Sequence, residues 1–281
     1  RQRQMCIRDR ILDGANRREW RLHFSDDLPF TQIASDGGVL PEPVDFTHLM
    51  LTCAERAEII VDFGKVTPGK TVTLYSDDVP LVRFRVHDFV ADDTQLPDHL
   101  VDIPNPDVTP DTPVRKVVMS GMDEAVMIDG KKFEMQRIDA RQKVGNVELW
   151  DVSNTNDMAS GMVHPFHMHG TQFLVLSRNG HEPYANEHGL KDTVGVNPGE
   201  TVRIKVWFEH TGVYMYHCHI IEHEDGGMMA QIEAYDPDHP KTYKLMDMDT
   251  LMKAVAEERG IDVKDLKLAG MSSYEKMGMK M

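Results

Sequence analysis

At 281 residues, with 41% hydrophobic and 27% charged residues, the chain is long enough for about two domains of ordinary size, each burying its own core. A net charge of −15 argues against a nucleic-acid ligand, whose phosphates need Lys and Arg, and is read mainly as solubility with a weaker bias towards cationic partners. Three cysteines are too few for a disulfide framework, and no apolar run is long enough to predict a membrane span.

In chain order, residues 10–95 read as short strands separated by turns. Phe30 to Ala34, Leu49 to Cys53, Glu58 to Phe63, Thr71 to Ser76 and Leu81 to Val86 are rich in β-branched or aromatic residues, and Asp36-Gly37-Gly38 and Pro68-Gly69 punctuate them. Cys53 sits in an apolar run and reads as a buried small hydrophobe. Residues 96–114 hold Pro97, Pro104, Pro106, Pro110 and Pro113 among several Asp, which predicts an extended connector. A second domain follows over 115–236, its clearest strands being Val147 to Val152, Gln172 to Leu176, Val202 to Phe208, Val213 to His219 and Met229 to Tyr235. Pro198-Gly199 suits the centre of a type II turn. With no long helical period before the tail, both regions are expected to be all-β sandwiches.

The tail, 237–281, changes character. Asp249 or Thr250 can cap a short helix, Leu251 to Arg259, which Gly260 would stop. Met246, Met248, Met252, Met271, Met277, Met279 and Met281 make it Met-rich. Thioethers select Cu(I), but gap-filling around a small helix is the plainer reading.

Two dense clusters carry the chemistry. His217-Cys218-His219 lies at the end of an expected strand, with His223 and Met228 following. His164-Pro165-Phe166-His167-Met168-His169 lies about fifty residues upstream. Side chains alternate along a strand, so Cys218 faces one way and His217 and His219 the other. By the same rule His167 and His169 share a face, and His164 takes the opposite one. A thiolate, imidazoles and an axial thioether suit a blue-copper centre. Zinc motifs prefer Cys pairs or helix-spaced His, which these segments lack.

Here the chain resembles the multicopper oxidases, the group that includes laccases, bilirubin oxidases and bacterial cuprous oxidases. H-P-x-H-x-H and H-C-H-x-x-x-H-x-x-x-x-M both stand without a mismatch. Further likeness lies in Lys191-Asp192-Thr193-Val194, in the stretch from Arg10 to Trp20, and in Glu55 to Phe63. It covers roughly residues 10 to 236. The resemblance implies two cupredoxin-like Greek-key β-sandwich domains, the first incomplete and without copper ligands, plus the short, partly helical tail. It implies a type 1 copper on His164, Cys218, His223 and axial Met228, a type 2 copper on His167, and a type 3 pair on His169, His217 and His219. Single electrons would pass from a phenol, a bilirubin-like tetrapyrrole or Cu(I) through Cys218 to a trinuclear cluster that reduces O2 to water. Glu224, next to His223, would either relay protons or orient a ligand by a hydrogen bond. Asp225, Glu222 and Asp192 read as structural or supporting.

The departures from the family shape three further expectations. Its cluster needs eight His, four of them from two H-x-H motifs in a first domain, and this chain has no other H-x-H. Four coppers per complete protein are implied, with only the type 1 site complete here, and an N-terminal domain of the same protein is expected as the missing partner. Residues 1–9 (RQRQMCIRD) fall outside the likeness and are expected to be a non-native leader, so Cys6 carries no functional weight. The family is usually extracytoplasmic, periplasmic or in the cell envelope, although the residues themselves point to no compartment. The alternative readings are a copper-free relative that acts by binding, as in cell-division proteins of this fold, and a one-copper electron carrier or nitrite reductase.

Overall fold

A computed structural model describes residues 6–87, 95–121, 125–155, 161–243, 245 and 248–265. The first domain contains β1 (Cys6–Leu12), β2 (Trp20–Phe24), β3 (Phe30–Ser35), β4 (Gly38–Phe46), β5 (His48–Leu51), β6 (Arg56–Asp62), β7 (Thr71–Ser76) and β8 (Val79–Arg85). The second contains β9 (Val114–Ser120), β10 (Met127–Ile128), β11 (Ala140–Lys143), β12 (Val147–Asn154), β13 (His164–Met168), β14 (Phe173–Arg178), β15 (Leu190–Lys191), β16 (Thr193–Val196), β17 (Thr201–Trp207), β18 (Gly212–Cys218) and β19 (Met229–Tyr235), with a short helix α1 (Ile221–Asp225) before the last strand.

The first domain is a pair of four-stranded sheets, β1-β6-β3-β4 and β5-β2-β7-β8. In β6, Ala57, Ile59 and Val61 are buried while the residues between them are not, the alternation of a strand with one face on a core. That core joins Leu22, Phe24, Phe30, Leu49, Leu51 and Leu74 from both sheets. The second domain packs a six-stranded sheet, β10-β9-β12-β17-β14-β15, on a five-stranded one, β11-β19-β18-β13-β16. Its core is centred on Trp150, Phe166, Phe173, Ile204 and Ile232. Among the described residues, no helix is long and apolar enough to cross a membrane.

Several elements differ from the sequence reading. β2 and β4 were not anticipated. β2 is short, and the prolines at 41 and 43 mask β4, which survives as a strand because it lies at a sheet edge. β1 reaches back into the stretch 1–9, with Cys6 to Asp9 opposite Asp62 to Ile59. The strand expected over Leu49 to Cys53 stops at Leu51. Thr52 to Glu55 form a turn there, with the Glu55 carboxylate accepting from the Thr52 amide at 2.7 Å and Ala54 at φ 68°. Cys53 is nonetheless buried, its thiol donating to Asn16 O at 3.1 Å. The Pro198-Gly199 turn forms as expected: Gly199 has φ 74° and the Glu200 amide donates to Asn197 O at 3.0 Å.

Residues 134–137, 242, 243, 245 and 248–265 fall in a separate small unit. Its helix α2 runs Met248–Arg259, starting ahead of the expected Asp249 or Thr250 cap. It ends on Gly260 at φ 64°, with Ile261 N bonded to Ala256 O and Gly260 N to Glu257 O, the Schellman arrangement. Met246, Met271, Met277, Met279 and Met281 lie outside the described residues.

The junction between the two sandwiches is ionic and buried. Lys191 is 1% exposed, with Nζ 2.9 Å from Asp36 Oδ2 and 3.2 Å from Glu55 Oε1. Burial alone would lower the Lys191 pKa, but the two carboxylates hold it above the usual lysine range. Burial raises Asp36 despite Lys191. Arg56 adds a bidentate pair to Asp192, at 2.7 and 2.6 Å. Gly37 is required beside this cluster, because a Cβ there would lie 2.2 Å from Leu190 O.

Removing Lys191 strands two buried carboxylates. Lys191→Met is expected to destabilise the chain by about 3–5 kcal/mol at pH 7 in urea unfolding. The lysine is charged in both states there, so its contribution is fully present and fades only as pH rises through its raised folded pKa. In the variant the loss should shrink as pH falls through the raised pKa of Asp36 and its carboxylate takes a proton. A loss below about 1 kcal/mol at pH 7 would mean that solvent reaches the cluster.

Candidate metal centre

The site is built on one pair of strands. Antiparallel pairing of β13 with β18 sets Phe166 opposite Cys218 and His167 opposite His217. Cross-strand partners share a face, so His164, Phe166 and Cys218 point into the sandwich core, while His167 and His217 point out of the opposite side. His164 and Cys218 are 2% and 0% exposed.

His223 arrives by a local reversal. After Cys218 the chain turns through α1, with the His223 and Glu224 amides both donating to Ile220 O at 2.9 Å. Gly227 adopts φ 108°, which a side chain would resist, and the chain re-enters β19 with Met228 N bonded to His223 O at 2.8 Å. The turn lays His223 back over Cys218, both fully buried.

The result is a triangle of donors. His164 Nδ1 lies 3.6 Å and His223 Nδ1 3.7 Å from Cys218 Sγ, and the two nitrogens are 3.3 Å apart. A trigonal ion with bonds of about 2.0 Å to nitrogen and about 2.3 Å to sulfur would need separations of about 3.5 and 3.7 Å. The three donors therefore fit an ion in their plane. Met228 is fully buried in the same core, and its carbonyl accepts from the Cys218 amide at 3.1 Å.

On the other face, His167, His169 and His217 bring one ring nitrogen each within 4.8 Å of one another. His169 Nε2 and His217 Nε2 are 3.1 Å apart. His219 joins through ring contacts, its centroid 5.3 Å from His167 and 5.5 Å from His217. Carbonyls set two tautomers. His167 Nδ1 donates to Asp192 O at 2.9 Å and His217 Nδ1 to Cys218 O at 2.9 Å, which leaves each Nε2 lone pair for a metal. Burial, then the neighbouring imidazoles, pushes His217 down to about 3, and burial foremost also lowers His169 and His219. These rings are held neutral, as ligands must be.

Glu224 is placed beside this face, Oε2 3.3 Å from His217 Nδ1, and burial followed by Asp225 raises its pKa. A cleft of about 540 Å³ opens next to the cluster, lined by His167, His169, Asp192, Trp207, Glu209 and His210 among others.

Two supporting residues were weakly signalled in the sequence. Asp192 grips Arg56 and lies 3.5 Å from His167 Nδ1; burial opposes its ionisation, but hydrogen bonds from Arg56, His167 and Thr193 hold its carboxyl well below the usual range. Asn16 of the first domain accepts from the Ile221 amide at 3.0 Å and donates to the Glu222 carboxylate, clasping the ligand turn. Only their place in stretches resembling the family marked them; neither local spacing nor residue type announced the contacts.

One thiol and two imidazoles meet in a triangle inside a β-sandwich, a donor set that suits a blue-copper centre. The multicopper oxidase family model matches residues 107–238. The multicopper oxidase mco of Staphylococcus aureus is 40% identical over 81% of this chain and 48% of its own length. The bilirubin oxidase of Albifimbria verrucaria is 36% identical over 81% of this chain and 44% of its own. A crystal structure of a multi-copper oxidase from Pediococcus acidilactici superposes with TM-score 0.83 at 59% identity, covering 86% of this chain and 51% of that one. The chain belongs to the multicopper oxidase family, and it spans about half the length of the curated relatives it matches.

Burial pushes the Cys218 thiol up to about 12, so at pH 7–9 it carries its proton until a metal displaces it. Copper(II) uptake at the triangle is expected to release about one proton per ion and to weaken about tenfold per pH unit of acidification in that range. Proton release followed in weakly buffered solution checks this. Uptake with no Cys218-dependent proton release would mean that the thiolate is not a ligand.

Proposed function

We propose that this chain supplies the electron-entry site and half of the oxygen-reducing cluster of a multicopper oxidase. His164, Cys218, His223 and Met228 would hold the type 1 copper. His167 would bind the type 2 copper, and His169, His217 and His219 the type 3 pair. The two donor sets on opposite faces of β18, joined through the backbone of His217-Cys218-His219, carry this reading. Copper held there would supply one-electron chemistry between a reductant and O2.

The protein's own part is to fix donors and manage protons. Cys218 is bonded through the main chain to both His217 and His219, so the path from one face to the other is a few covalent bonds long. The sandwich core around Cys218 keeps water out. Glu224 either passes protons towards the cluster or orients His217; its contact with His217 Nδ1 favours orientation. The other four cluster ligands would come from another segment of the complete protein. The reductant is a phenol, a tetrapyrrole such as bilirubin, or Cu(I). A one-copper or copper-free binding relative needs no imidazoles on both sides of the cysteine, whereas His217 and His219 flank it here.

The copper-loaded chain is expected to be blue, and Cys218→Ser to lose the colour. Met228→Leu should keep the colour and raise the redox potential, because a thioether donor is exchanged for hydrocarbon of similar volume. His223→Ala should lose the blue site. Absorption spectra and redox titration separate these outcomes. Equal loss of copper from Met228→Leu and His223→Ala would remove Met228 from the weak axial role.

A further inference from the structure

We propose that the first domain carries a divalent transition-metal site of its own, formed by His23, Asp27 and His48. Register places the two histidines together: β2 and β5 pair antiparallel with His23 directly opposite His48. Their rings stack with centroids 5.3 Å apart and planes 23° apart, and Tyr75 of β7 stacks on His23 at 5.5 Å and 16°. Asp27 closes the group from the short turn after β2, where Asp26 and Asp27 both take left-handed φ, 59° and 49°. One ligand atom from each of the three lies within 4.8 Å of the others.

The tautomers point donors at a shared ion. His23 Nε2 is 3.0 Å from Asp77 O. A carbonyl only accepts, so this nitrogen carries the hydrogen, and in the neutral ring Nδ1 keeps its lone pair. A carbonyl holding the far nitrogen is the usual support of a metal-binding histidine. Nδ1 lies 3.4 Å from Phe24 O, a longer contact than that of Nε2, so the single hydrogen of the neutral ring belongs on Nε2. His48 Nδ1 is 3.2 Å from Thr47 Oγ1; with that hydroxyl accepting, Nε2 keeps its lone pair, and that atom lies 4.0 Å from Asp27 Oδ1. The separation is too long for a hydrogen bond. Donors bonded at about 2.0 Å to a tetrahedral ion lie about 3.3 Å apart, so the pair has to close by well under 1 Å to share one. The His48 and Asp27 side chains are 64% and 74% exposed, so a small rotation closes the site and water fills the remaining positions.

Two imidazoles and a carboxylate suit Zn(II), Ni(II) or Cu(II); with no thiolate or thioether they do not favour Cu(I), and imidazole disfavours Mg(II) and Ca(II). None of these residues belongs to the copper ligands proposed above, so the inference stands or falls apart from that reading.

The test is titration of the metal-free full chain with Zn(II), by calorimetry and by NMR of the histidine ring nitrogens. Zinc should shift the His23 Nδ1 and His48 Nε2 resonances together. His48→Gln and Asp27→Asn should each weaken that event at least about tenfold, with the other zinc events and the unfolding midpoint of the metal-free chain unchanged. Both substitutions are at exposed side chains, so loss of the fold does not confuse the result. Isotherms of the two variants that superimpose on the wild type, or His23 and His48 resonances that zinc leaves in place, would overturn the site.

Discussion

The period of two along β18 is the constraint on which the centre depends. Three consecutive residues, His217 and Cys218 at the end of β18 and His219 just after it, present imidazole, thiol and imidazole to alternate sides. Pairing with β13 supplies the matching alternation, Phe166 against Cys218 and His167 against His217. A slip of one residue between these strands would send Cys218 to the histidine face and His217 into the core. The core enforces the register, because Phe166, Met168, Tyr216 and Cys218 are all buried in it and would have to turn outward. Packing and metal chemistry therefore select the same pairing.

The first domain bears on the centre without contributing to the donor triangle. Its Asp36, Glu55 and Arg56 hold Lys191 and Asp192, and Asp192 leads directly into the backbone carbonyl that fixes the His167 tautomer. Asn16 holds the turn that carries His223. A buried ion cluster gains little net stability over an apolar contact, but its fixed hydrogen-bond directions define how two surfaces meet. Here those directions end at two residues of the candidate centre.

Much of this was legible in the sequence, for a physical reason. Sandwich strands and the two-faced ligand pattern depend on local alternation, which survives in a string of letters. β2 and β4 were missed because one is short and the other is interrupted by Pro41 and Pro43, signals that oppose a strand until its edge position is known. The Thr52 to Glu55 turn was missed because it is closed by a side chain, Glu55 onto the Thr52 amide, and not by Gly or Pro. The roles of Asp192 and Asn16 depend on partners more than a hundred residues away, Arg56 and Ile221. No local pattern encodes such a pairing. The stacked His23 and His48 are likewise twenty-five residues apart and meet only through the β2–β5 register.

The central claim is that β18 holds metal on both of its faces, and crystals of the copper-loaded protein test it most directly. An anomalous difference map at the copper edge should show one peak inside the sandwich, within bonding distance of His164 Nδ1, Cys218 Sγ and His223 Nδ1. A second, separate density should lie on the opposite face, against the Nε2 atoms of His167, His169 and His217. A single site that draws Cys218 together with His217 or His219 would contradict the account, because one ion would then be bound from both faces of the strand.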